Sequence, residues 1–285
     1  MDSRLCTGVA ALAIASAVCL SAQTLPQPAP QSGLDAGRAF TAQLHLDQRA
    51  DEPLFTSIGY DRAVALLQPV LDQGQQPSAT ADDWKNMHRA VDGLTELNLW
   101  QRQTFKAALY QFLQNNFYMN LDRDYARALD AARRALALQQ QSGVTATLYL
   151  DHSAVGHDLA ELGRSDEALP ELAAAHQSDP EPTTASGSLR WRDLVQAQIA
   201  VGHPNDAQQE VSSFQKAEEP AGGLARARAL LAGADLSLAR GNIDDAVDRI
   251  AEAQPLVTDD AEKAAFTMDA VYESMVCVLE SLNHA

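Results

Sequence analysis

Two histidines, His152 and His157, each stand beside an aspartate, Asp151 and Asp158. These are the residue types in this 285-residue chain best suited to hold a metal or move a proton. Imidazole nitrogens and carboxylate oxygens are common ligands for zinc, and a carboxylate beside a histidine is the usual way to orient a base. The spacing argues against both roles. Ligands that share a helix face stand three or four residues apart, as in His-Glu-x-x-His, and a separation of five puts these two rings on different sides. The cysteines give no alternative. Cys6 and Cys19 lie in an apolar N-terminal stretch, and Cys277 sits by itself in the helical run VYESMVCVLESL, where a small buried hydrophobe is its expected role. Gly222-Gly223 lacks the Lys-Ser/Thr of a phosphate loop, and neither Gly-x-Ser-x-Gly nor His-Glu-x-x-His occurs. The chain is read as non-catalytic, with no catalytic residue, metal or cofactor.

The elements that position these side chains are helices. Hydrophobic residues make up 46% of the chain and aromatics only 6%, Ala and Leu are plentiful, and β-branched runs are scarce, a balance that favours an all-α fold. A formal net charge of −17 repels nucleic-acid backbones and anionic lipid headgroups, so neither is an expected partner. Residues 1–22 read as a secretory signal: Arg4 is a minimal basic region, Cys6 to Leu20 is uncharged, and Ala22 precedes a polar stretch. No later run is long enough to span a bilayer, so the exported chain is expected in the periplasm or outside the cell. A lipid anchor at Cys19 is the alternative, weakened by Val18 at a position that normally holds a small residue. Residues 23–33, QTLPQPAPQSG, form an extended Pro/Gln-rich tether.

Residues 34–108 read as an N-terminal helical region. Asp51-Glu52-Pro53 is expected to interrupt it, and Pro69 to kink the helix that begins near Tyr60. Thr80 or Asp82 caps a helix whose buried face carries Trp84, Met87, Ala90, Val91 and Leu94. Another helix is expected from about Leu99 to Asn116. Beyond it the pattern becomes periodic. Ala128, Ala168, Ala207 and Ala246 fall 40, 39 and 39 residues apart, and Gly163, Gly202 and Gly241 each precede the alanine by five, with Arg123 in that place in the first copy. Such a period marks a solenoid of helix pairs, in which each pair buries its apolar face only against its neighbours.

The clearest copy, Tyr149 to Pro182, has Val155-Gly156, Leu159, Gly163, Ala168, Ala175 and Asp179-Pro180 in place. On these residues the chain resembles the tetratricopeptide repeat proteins of the exported bacterial type. Leu109 to Ser142, Ser188 to Ala221 and Ala227 to Asp260 are degenerate copies. The resemblance implies a right-handed solenoid with four helix pairs over 109–260, an N-terminal cap or eroded repeats over 34–108, and a C-terminal capping helix over 261–285. It further implies that the first helix of each pair lines a groove that takes a peptide or protein partner. Mapping those inner positions gives Tyr110, Phe117, Asn120, Ser153, His157, Arg192, Gln196, Arg228 and Asp235. The expected function is that of a protein–protein interaction scaffold. The alternatives are a membrane-anchored envelope assembly factor and a metal- or small-molecule-binding subunit using His152 and His157.

Overall fold

A computed structural model describes residues 31–181, 183–218 and 223–258. The signal, all but the end of the tether, and the expected C-terminal cap over 261–285 lie outside the described residues. Those described are all-α, with no strand among them, as composition led us to expect. The helices are α1 (Gln31–Gln43), α2 (Gln48–Ile58), α3 (Tyr60–Gly74), α4 (Ala81–Trp100), α5 (Thr104–Phe117), α6 (Tyr125–Ser142), α7 (Leu148–Glu161), α8 (Ser165–Ser178), α9 (Ala185–Ala200), α10 (Pro204–Glu218), α11 (Gly223–Ala239) and α12 (Ile243–Ala253). A π-helical turn, Tyr118–Asp122, follows α5, and a 3₁₀ turn, Gln254–Leu256, follows α12. The chain divides into two units, one ending at Ala154 and the other beginning at Val155. Helix α1 starts three residues inside the expected tether.

In the first unit, α3 packs on α4, α4 on α5, and α5 on α6, while α1 and α2 lie against α3 and α4. Phe55, Leu67, Met87, Leu94 and Leu97 are fully buried at its centre, with Phe55 and Trp100 rings 5.9 Å apart. Thr80 opens α4 with a capping box, its side chain accepting from Asp83 N while Asp83 reaches back to Thr80 N. Trp84 departs from the expected buried face and is 38% exposed. The inward position in that turn belongs instead to Asp83, which Thr80 and the Arg38 guanidinium hold at 5% exposure.

The expected break at Asp51-Glu52-Pro53 lies earlier, at residues 44–47. Buried Asp51 sits inside α2 and accepts from the backbone N–H of His45 at 2.8 Å, Leu46 at 2.9 Å and Asp47 at 3.3 Å, which fixes the chain reversal just before the helix. Pro53 and Pro69 both lie within helices rather than at their ends. Each removes one backbone hydrogen bond, and burial of Phe55, Val70 and Leu71 on the same helices favours keeping them intact.

The second unit repeats one motif. Helix α9 packs on α8, α10 and α11, and α11 packs on α9, α10 and α12, so α9 touches both its own partner and the next first helix. The turns inside the pairs share one geometry. Gly163, Gly202 and Gly241 have φ of +70°, +79° and +72°. In each turn the next residue's N–H reaches five residues back: Arg164 to Leu159 O (2.8 Å), His203 to Gln198 O (2.8 Å) and Asn242 to Ser237 O (2.9 Å). This is a Schellman-type closure, and glycine tolerates its left-handed residue best. Ala168, Ala207 and Ala246 are all fully buried just beyond it. Gly156 lets α7 approach α8, since a Cβ there would stand 2.6 Å from Leu172 Cγ.

The earliest copy differs. Arg123 does take the left-handed conformation (φ 56°), but the π-helical turn makes the closing bond one residue longer, from Asp124 N to Tyr118 O at 3.0 Å. The five-residue closure also occurs between α4 and α5, where Arg102 (φ 57°) is the left-handed residue and Gln103 N reaches Asn98 O at 2.8 Å. The helix expected to start near Leu99 therefore belongs to two helices, divided at residues 101–103.

Candidate functional site

The first helices of the second unit carry a row of polar side chains at positions where an apolar core would be the simpler solution. On α9, Ser188, Arg190, Arg192, Asp193 and Gln198 are all buried, as is Arg228 on α11. Charges removed from water must find partners, and Arg192 and Asp193 find them on neighbouring first helices. Arg192 Nε donates to Asp235 Oδ2 at 3.1 Å, and Gln196 Nε2 donates to the same oxygen at 3.1 Å. His157 Nδ1 lies 3.2 Å from Asp193 Oδ2. Arg190 pairs with Asp179 at 2.6 Å, fixing the C-terminal end of α8 against α9.

These pairs set the chemistry of the row. Burial alone would push the His157 imidazole down, but the Asp193 carboxylate, by charge and hydrogen bond, holds it up to about 9. The ring is therefore a cation at neutral pH, which suits neither metal ligation nor general-base work. Asp151, one turn into α7, is 3% exposed, and burial pushes its carboxyl up to about 7. Among the described residues no group of His, Cys, Asp and Glu is arranged to hold a metal ion.

The residues singled out from the sequence divide between the two units. His157, Arg192, Gln196, Arg228 and Asp235 belong to the second unit, where Arg192, Gln196 and Asp235 form one hydrogen-bonded group, and Ser153, one turn before His157 on α7, falls within the first. Ser153 is half-buried, and the His157 side chain is 28% exposed. Phe117 is 8% exposed in the first unit's core and Tyr110 packs on that core, while Asn120 is exposed and donates to Asn116 O at 3.0 Å.

Two features were missed. One is the pairing between first helices: Asp193, which was not singled out, lies 36 residues beyond its partner His157, and Asp235, which was, lies 43 beyond Arg192. Complementary charges about one repeat apart on successive first helices were the available signal. The other feature is in the first unit. His88 stacks on Tyr118 with ring centroids 4.4 Å apart, meets Phe117 edge-on, and places Nε2 2.9 Å from Asp122 Oδ2. Together these contacts clamp the π-helical turn to α4. No family model matches the chain, and no curated protein matches it in sequence.

Proposed function

We propose that this chain is a non-catalytic interaction scaffold, a right-handed helix-pair solenoid of the tetratricopeptide type that binds a peptide or protein partner after export. The observation that carries the reading is the recurrence of one helix pair at Gly163, Gly202 and Gly241, with successive first helices cross-linked by polar side chains. A row of side chains fixed by mutual hydrogen bonds presents a surface whose ordering cost is met on folding, so a partner need not supply it. The accessible members are His157 and Gln196, and Ser153 stands one turn before His157 on α7.

A photo-crosslinking residue at Ser153, with the same residue at Val247 (48% exposed) as control, tests the surface in the native envelope fraction. The reading expects one defined adduct from position 153 and none of that species from 247. Equal labelling at both positions, or none at 153, overturns it. Export is tested separately by N-terminal sequencing of the secreted protein, expected to begin at Gln23. An unprocessed Met1 overturns that part.

A further inference from the structure

Glu218, the last residue of α10, is fully buried, and neither of its carboxylate oxygens has a hydrogen-bond partner. Keeping a carboxylate there as an anion costs its hydration with nothing in return. The helices packed against α10 are α9 and α11. Their charged groups are Arg190, Arg192 and Asp193 on α9, and Arg226, Arg228 and Asp235 on α11. Arg190 is held by Asp179, Arg192 by Asp235, and Asp193 by His157. None of these groups bonds to Glu218, and Lys216 on α10 itself is exposed.

The preceding repeat shows how the same acid is otherwise satisfied. Asp179, just past the end of α8, stands 39 residues before Glu218, and Arg190 on α9 stands 39 before Ala229 on α11. There the carboxylate takes two bonds from the guanidinium, from Arg190 Nε to Asp179 Oδ2 at 3.0 Å and from Nη2 to the same oxygen at 2.6 Å. One repeat on, the acid is kept, and the arginine has become an alanine that is itself 1% exposed. The position that supplies the neutralising charge on α9 supplies none on α11. Burial, with no charge to oppose it, pushes the Glu218 carboxyl up to about 7.

We propose that Glu218 is a proton-operated latch on the last turn of α10. With its proton on, the side chain stays buried and the turn is closed. With its proton off, the turn opens so that water reaches the carboxylate. A carboxyl held above its ordinary 4.5 binds its proton more tightly closed than open, so closure is strongest below about pH 4.5 and weakens as pH rises to about 7. The latch is thus closed in mild acid and loosened at neutral pH and above.

Amide hydrogen exchange of the full chain tests the latch, read by NMR at pH 6 and pH 8 and corrected for the intrinsic pH dependence of exchange. Opening at residues 216–218 is expected to rise about tenfold between the two. The same amides in Glu218→Gln, which carries no charge at either pH, should change by less than about twofold. Residues 175–178 of α8, beside the Asp179–Arg190 pair, should also change by less than about twofold and serve as the control within the same molecule. The carboxyl carbon of Glu218 should titrate with a midpoint near 7, a measurement that stands even should Glu218→Gln fail to fold. No rise in the wild type overturns the proposal, as does an equal rise in Glu218→Gln or in residues 175–178. A carboxyl midpoint near 4.5 overturns it too. Failure here leaves the scaffold reading standing, because Glu218 lies on a second helix and the proposed surface on the first helices.

Discussion

Arg192 on α9 and Asp235 on α11 form a buried ion pair, 3.1 Å apart with side chains 6% and 9% exposed, that ties the first helices of two successive pairs together. A buried pair costs a good deal to desolvate, and removing one partner leaves the other charge stranded. Asp235→Ala is expected to lower the unfolding free energy by about 3 kcal/mol or more, read by urea denaturation. Replacing both residues by leucine should recover most of that loss. If the single and double variants are equally unstable, the pair is not what couples the helices.

His157 makes stability fall toward alkaline pH. Its folded value of about 9 exceeds the ordinary 6.5, so its pairing with Asp193 is fully stabilising below pH 6.5 and is lost as pH rises through 9. The stability difference between wild type and His157→Gln should shrink by on the order of 2 kcal/mol across that window. An NMR titration of the ring with a midpoint near 6.5 would contradict the geometry.

Asp151 acts at lower pH with the same sign. An acid raised to about 7 by burial binds its proton more tightly folded than unfolded, so its cost is absent below about pH 4 and complete above 7. Asp151→Asn should match wild type near pH 4 and exceed it at pH 8, by up to about 4 kcal/mol in the fully desolvated limit. Equal stability of the two proteins at pH 8 would show that the carboxylate is solvated.

The left-handed residues predict opposite outcomes for two substitutions. Arg102 (φ 57°) carries the steric cost that glycine avoids, so Arg102→Gly should stabilise the first unit by about 1 kcal/mol. Gly202→Ala, at φ +79°, should destabilise the second by about the same amount. Thermal melts of the two variants shifting in the same direction would refute this account.

The turn glycines and buried alanines of the second unit were legible because each follows from a local requirement: a left-handed closure, then a close helix contact. The closure at Arg102 was not, since an arginine in that conformation leaves no compositional mark and Ala107 falls outside the 39-residue step. Pro53 misled for a related reason. The true break is set by Asp51 reaching back to three N–H groups, a bond pattern that sequence does not display. For the polar row, helical register identified the helices and several members, whereas pairing depends on which side chain of the next helix lies opposite. Tyr110 and Phe117 looked like groove aromatics by register, but an aromatic on an amphipathic helix has the same spacing whether it meets a ligand or a core.

The extra residue in the π-helical turn gives the closure at Arg123 a different length from those at Gly163, Gly202 and Gly241. The turns inside α7–α8, α9–α10 and α11–α12 are therefore of one kind, each closed by the same bond wherever its pair stands in the series. The α5–α6 turn differs. His88, Tyr118 and Asp122 lock it to α4, so inserting or deleting a residue in that turn would break contacts that the glycine turns do not carry.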